Sequence, residues 1–348
     1  MKLSPLKIGV HLLVALATAL AASAARAADA PPPAPSPIEL QARALGRANA
    51  ATVGVRARAI EDARSSKTLG ELREGSGVVI GSDGLVLTIG YLILEAEQVD
   101  LLLEGDRVLP ARIVAYDPAT GFGLVQSLVP LPLPVAPLGD ASRLGADEPL
   151  MIASGGDDGD VSMARMVDRR PFSGNWEYHI DEALFTAPPR SDHSGAGLFN
   201  SRGELVGIGS LLVGDTHSAR FPHLPGNMFV PVDLLKPILA ELRAHGESHL
   251  SRRPWMGVNC DEQDGQVRIV RVSEDSPADV AGLQPGDRIL RVDGAEVHGL
   301  ESLWKSLWTG GPAEREVTLE IARGDEQPHT LKVQAVDRLK ALRHAQGI

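Results

Sequence analysis

Between residues 52 and 229 the chain alternates short apolar runs with Gly, Asp, Pro and Ser. Gly77-Val78-Val79-Ile80, Leu85-Val86-Leu87-Thr88, Leu101-Leu102-Leu103, Ala111-Arg112-Ile113-Val114-Ala115 and Leu205-Val206-Gly207-Ile208 are such runs. Many short strands at close spacing, with turn residues between them, predict an all-β barrel or sandwich. Ser82-Asp83-Gly84 and Ser201-Arg202-Gly203 read as hairpin turns.

The pattern changes after residue 232. Leu234, Leu235, Ile238, Leu239 and Leu242 recur at helical spacing, which predicts a helix over 233–245 with Asp233 as N-cap and Gly246 beyond its end. The polar stretch 246–253 is the expected domain boundary. A second unit then runs from Trp255 to about Val336, with strands on both sides of a helix over 300–308, and reads as a small α+β domain. Upstream, residues 28–37 are an Ala/Pro-rich tether, followed by a short helix over 38–48.

Composition narrows the partners. At 348 residues the chain has room for two domains with real cores. A formal net charge of -11 argues against nucleic acid, because phosphate binding rests on clustered Lys and Arg. Lys2 and Lys7 flank an apolar run over 8–22, and Ala25-Arg26-Ala27 offers small residues for cleavage, so residues 1–27 read as an export signal. The expected compartment is the periplasm or the cell exterior, with no integral membrane span after cleavage. Cys260 is the single cysteine, so no intrachain disulfide is possible, and it reads as a buried small hydrophobe. No His/Cys spacing suits a metal and no phosphate loop is present, so neither metal nor cofactor is expected.

The stretch Ser191-Asp192-His193-Ser194-Gly195-Ala196-Gly197-Leu198 has the outline of a serine-protease nucleophile loop. Glu74-Gly75-Ser76-Gly77-Val78-Val79-Ile80, Asp83-Gly84-Leu85-Val86-Leu87-Thr88, Asp117-Pro118-Ala119-Thr120, Gly203-Glu204-Leu205-Val206-Gly207-Ile208 and Phe229-Val230-Pro231-Val232 extend the match. So does Ser276-Pro277-Ala278 with Ala281-Gly282-Leu283-Gln284-Pro285-Gly286-Asp287-Arg288-Ile289-Leu290 and Val292-Asp293-Gly294. Together these resemble the HtrA/Deg serine proteases. The resemblance implies an all-β trypsin-like double β-barrel over 51–246 and an α+β PDZ domain over 254–337.

Carried over residue by residue, the resemblance leaves Ser194 as nucleophile but puts Tyr91 at the histidine position and Gly121 at the aspartate position. A serine hydroxyl attacks poorly without a base, and tyrosine is neutral at physiological pH. With the triad broken, roughly six orders of magnitude in turnover are expected to go. In the oxyanion loop Asp192 replaces a family glycine, and its carboxylate is expected to repel a developing oxyanion. His193, His179, His217 and His223 are the stand-in bases to check. Pro188, six residues before Ser194, falls at the floor of the family's main specificity pocket, and a peptide can still pair along Gly207-Ile208-Gly209-Ser210.

The PDZ resemblance assigns Trp255-Met256-Gly257-Val258 as the loop whose amides capture a terminal carboxylate. Leu300, Leu303, Trp304 and Leu307 on the facing helix either line the groove or belong to the core. Ligands of this module are expected to be peptide segments or protein C-termini. The family's N-terminal aromatic trimer contact has no Phe, Trp or Tyr between residues 28 and 84 to build it, which leaves the oligomeric state open. Two readings follow: an exported, catalytically impaired peptide binder of envelope quality control, or a working endopeptidase using Ser194 with an unconventional base.

Overall fold

The computed structural model describes residues 36–145, 148–156, 159–216 and 223–342. The signal expected over 1–27 and most of the tether lie outside the described residues. Residues 41–348 form one compact unit, which contains every strand among the described residues. The N-terminal helix spans Pro37–Ala50. Its start is set by a reciprocal cap, in which the Glu39 carboxylate accepts from the Ser36 amide (2.7 Å) and the Ser36 hydroxyl accepts from the Glu39 amide (3.3 Å).

The apolar runs fold into two closed barrels. The first contains β1 (Thr52–Ala59), β2 (Leu72–Val79), β3 (Leu85–Ile89), β4 (Ala96–Leu103), β5 (Arg107–Tyr116) and β6 (Phe122–Ser127), in the order β1-β2-β3-β6-β5-β4. The second contains β7 (Pro149–Ala153), β8 (Val161–Gly174), β9 (Tyr178–Ala187), β10 (Gly197–Phe199), β11 (Leu205–Val213) and β12 (Gly226–Pro231), in the order β10-β11-β12-β9-β8-β7. Closure removes exposed edges, and it buries both faces of the short runs: every residue of β3 and of β12 is buried. Val55, Leu87, Leu101 and Leu124 fill one interior, Leu150, Leu184, Leu198 and Phe229 the other.

The C-terminal strands are β13 (Pro254–Trp255), β14 (Val258–Gln263), β15 (Gln266–Val272), β16 (Arg288–Val292), β17 (Ala295–Glu296), β18 (Arg315–Ala322) and β19 (His329–Asp337). They form one sheet ordered β13-β19-β18-β16-β15-β14, with β17 on β16, so β14 is an edge strand. The predicted helix of this unit runs over Leu300–Thr309, and its Leu303, Trp304 and Leu307 are fully buried.

One helix departs from expectation. The segment read as a helix over 233–245 is a short 3-10 turn, Val232–Leu234, followed by a true helix only at Leu239–His245. Pro237 is the physical reason, because it lacks an amide and disfavours the helical conformation of Lys236. Asp233 is therefore not the cap of a long helix. Its carboxylate accepts from the Ala141 amide (2.7 Å) and from Lys236 (2.6 Å). Gly246 does end the helix, in the left-handed conformation.

Candidate catalytic site and carboxylate-binding loop

Three pieces of chain meet at the Tyr91 phenol oxygen. Ser194 lies in the loop before β10, anchored to the first barrel by its carbonyl, which accepts from the Ser76 amide at 2.8 Å. Tyr91 sits on the single helical turn Gly90–Ile93 after β3. Its phenol oxygen is 2.8 Å from Ser194 Oγ and 2.8 Å from the carbonyl of Ser210 on β11. A carbonyl can only accept, so the one phenolic proton goes to Ser210 and the Ser194 hydroxyl donates to the phenol oxygen. The partner of the Ser194 hydroxyl is thus a group that takes a proton poorly. Burial raises the Tyr91 phenol to about 12, against the smaller opposing pull of the Ser194 bond.

At Gly121, expected from the resemblance to stand in place of an aspartate, the backbone is tightly surrounded. Gly121 has φ +81°, and its carbonyl accepts from the Gly90 amide at 2.7 Å. A Cβ there would stand 3.0 Å from the Tyr178 hydroxyl and 3.3 Å from its ring. Tyr178 is itself fixed by donating to the Thr120 carbonyl at 2.6 Å. The turn before it does keep its form, since Asp117 accepts from the Thr120 amide (2.9 Å) and hydroxyl (2.5 Å).

The oxyanion loop differs from expectation. Asp192 is turned toward Arg190, whose Nε donates to it at 2.9 Å and whose Nη2 closes an ion pair, and the Ser154 hydroxyl donates to it as well. Burial pushes this carboxyl up, but the Arg190 and Ser154 bonds outweigh it and hold the group below the usual carboxylate range. The expected repulsion of an oxyanion is therefore offset by a guanidinium that is almost wholly buried and also bonds Ser162 at 2.7 Å. Pro188, expected at a pocket floor, is instead exposed on the surface, joined to Ala187 by a cis peptide.

The stand-in histidines are engaged elsewhere. His193 Nδ1 faces the Arg190 carbonyl at 3.1 Å, and burial lowers its imidazole. His179 bonds Ser173 (2.8 Å) and Asp181 (3.1 Å) across the β8–β9 hairpin. In that triplet the serine sits on Nδ1 and the carboxylate on Nε2, the reverse of the trypsin arrangement, and Asp181 is also tied to Lys305 at 2.8 Å. His223 pairs with Asp215 at 2.7 Å. His217 lies outside the described residues.

In the C-terminal unit the amides of Met256, Gly257 and Val258 do converge on a carboxylate, and it is the chain's own Glu177. Gly257 N and Val258 N lie 2.7 and 2.9 Å from Glu177 Oε1, and Met256 N lies 3.1 Å from Oε2. Trp255 donates nothing to it and pairs instead with Val336 in the sheet. Gly257 is required on two counts: its φ is +91°, and a Cβ would overlap that of Ser276. Glu177 is 1% exposed. Burial raises its carboxyl, against Arg338 and the three amides.

Sequence reading missed Glu177, Tyr178, Arg190 and the Ser210 carbonyl. Cys260 is buried as expected, its thiol pushed up by burial first and by the charge of Glu177 second. Nothing in the local sequence marks Glu177, although the structure places it at a left-handed position (φ +58°) that glycine prefers.

Comparison with known proteins agrees with this architecture. Residues 75–208 match the family described as a trypsin-like peptidase domain, and residues 254–334 match the PDZ domain. A protein of Hahella chejuensis described as "Probable periplasmic serine endoprotease DegP-like" is 26% identical over 273 residues, covering 74% of this chain and 56% of the relative. One of Pseudomonas putida with the same description is 29% identical over 260 residues, covering 70% and 52%. The chain thus spans about half the length of these curated relatives. Among solved structures, an HtrA-type protease, AlgW, with a decapeptide superposes with TM-score 0.52 at 20% identity, over 86% of this chain and 98% of that one. A serine endoprotease from Yersinia pestis gives 0.51 at 22% identity, over 85% and 97%. The fold is that of trypsin-like β-barrels followed by a PDZ domain.

Proposed function

From this HtrA/DegP-like architecture, a trypsin-fold peptidase domain followed by a PDZ domain, we propose that the chain is a pseudoprotease: an exported peptide-binding protein whose barrels no longer cleave. The observation that supports this is the Tyr91–Ser194 hydrogen bond. A hydroxyl attacks a carbonyl only if its proton has somewhere to go, and here it points at a neutral phenol already committed to Ser210. The relatives described as periplasmic favour an envelope location and a role in protein quality control there. On this reading residues 1–27 are removed on export, 28–50 form the tether and helix, 51–246 the degenerate protease domain and 254–337 the PDZ domain.

The ligand class follows from the carboxylate-binding loop, whose convergent amides suit a peptide or protein with a free C-terminus. Cleavage of a casein-type protein substrate by the purified chain, beside Ser194→Ala, tests the pseudoprotease reading. Equal background rates are expected. A rate that depends on Ser194 means the protein is a working endopeptidase.

A further inference from the structure

The PDZ groove is already filled. Between the edge strand β14 and the helix Leu300–Thr309 lies the tip of the β8–β9 hairpin, residues 174–177, and it contacts both walls. From β14, the Cys260 amide donates to the Asn175 carbonyl at 2.8 Å. From the helix, Trp304 Nε1 donates to the Gly174 carbonyl at 2.8 Å. At the closed end the Met256, Gly257 and Val258 amides hold the Glu177 carboxylate.

The spacing is that of a ligand strand. Alternate amides of an edge strand point outward, so Val258 and Cys260 face the same way. They meet the Glu177 carboxylate and, two residues before it, the Asn175 carbonyl. A peptide ending in a free carboxylate presents the same groups in the same order. Outside the groove Arg338 Nη1 donates to the Glu177 carbonyl at 2.6 Å and Lys305 pairs with Asp181 of β9 at 2.8 Å, so the hairpin is held on several sides. Glu177 keeps a left-handed backbone that a glycine would adopt without strain.

We propose that the hairpin tip Gly174–Glu177 is a built-in ligand of the PDZ groove, with the Glu177 side chain in the place of a C-terminal carboxylate. A peptide or protein C-terminus therefore binds only by displacing it. Such a competitor is a chain end with a free carboxylate and an extended backbone behind it. This rests on the peptide-binding reading above, and the test separates the two.

The full chain is compared with Glu177→Ala and Glu177→Gly, the second keeping the turn relaxed while removing the carboxylate. The probe is a fluorescent pool of decapeptides randomised at the last four positions with a free C-terminus, and the control is the same pool amidated. Amide hydrogen exchange is read at Met256, Gly257, Val258 and Cys260. We expect exchange at these amides to accelerate in both variants, and the free-acid pool to bind them at least about tenfold more tightly than the unaltered chain, as removal of an occupying state requires. Equal affinity for variant and unaltered chain, or unchanged exchange, overturns the built-in ligand. Faster exchange with no peptide bound by any form upholds the internal docking and removes the peptide-binding reading instead.

Discussion

The Ser194 hydroxyl meets a phenol where nucleophilic attack by a serine needs a base. Tyr91 touches the Ser194 oxygen, but its own proton is spent on Ser210. Placing a histidine at position 91 is not expected to be enough. In Tyr91→His/Gly121→Asp, the new aspartate must take φ +81° and meets the Tyr178 hydroxyl 3.0 Å from its Cβ. That double variant should stay at the Ser194→Ala background in a peptide-cleavage assay and lose about 1–3 kcal/mol in urea unfolding. The phenol gives a second prediction. Its pKa is raised to about 12 in the fold, above its unfolded value, so its contribution to stability is full below the unfolded value and is lost as pH rises through the folded one. Tyr116 and Tyr178 are raised by burial as well and act in the same direction. Tyr91→Phe should therefore flatten, without abolishing, the alkaline fall in melting temperature above about pH 10.

Among the elements, the strands were the most legible. The runs at Leu85–Thr88 and Leu205–Ile208 became β3 and β11 because alternating turn chemistry leaves a short apolar segment few options but a sheet. The segment 233–245 failed because helical spacing was read through Pro237, where one missing amide outweighs the apolar pattern. The loop 255–258 was singled out by the PDZ resemblance, with Gly257 supplying a physical reason, and Gly257→Ala should cost about 2 kcal/mol or more by thermal unfolding, from the positive φ and the contact with Ser276. What fills that loop was not legible. Glu177 lies about 80 residues upstream, at the tip of the β8–β9 hairpin of the second barrel, and pairing across such a separation leaves no periodic trace. The same holds for Arg190, which reads as an ordinary loop charge until burial and Asp192 give it a partner.

For the whole molecule, the hairpin tip ties the second barrel to the C-terminal unit, to its sheet through Glu177 and Asn175 and to its helix through Gly174. Removing the Glu177 carboxylate leaves buried amides unpaired, each worth about 1–3 kcal/mol until water reaches it. Calorimetry should accordingly show one cooperative transition for residues 41–348 in the unaltered chain and two separable transitions in Glu177→Ala. Around this scaffold, the chemistry turns on one oxygen, that of Ser194. The most direct test is labelling of the intact protein by a fluorophosphonate probe at neutral pH, read by mass spectrometry beside Ser194→Ala. A pseudoprotease should take up no more label than Ser194→Ala does. Stoichiometric modification of Ser194 would contradict it.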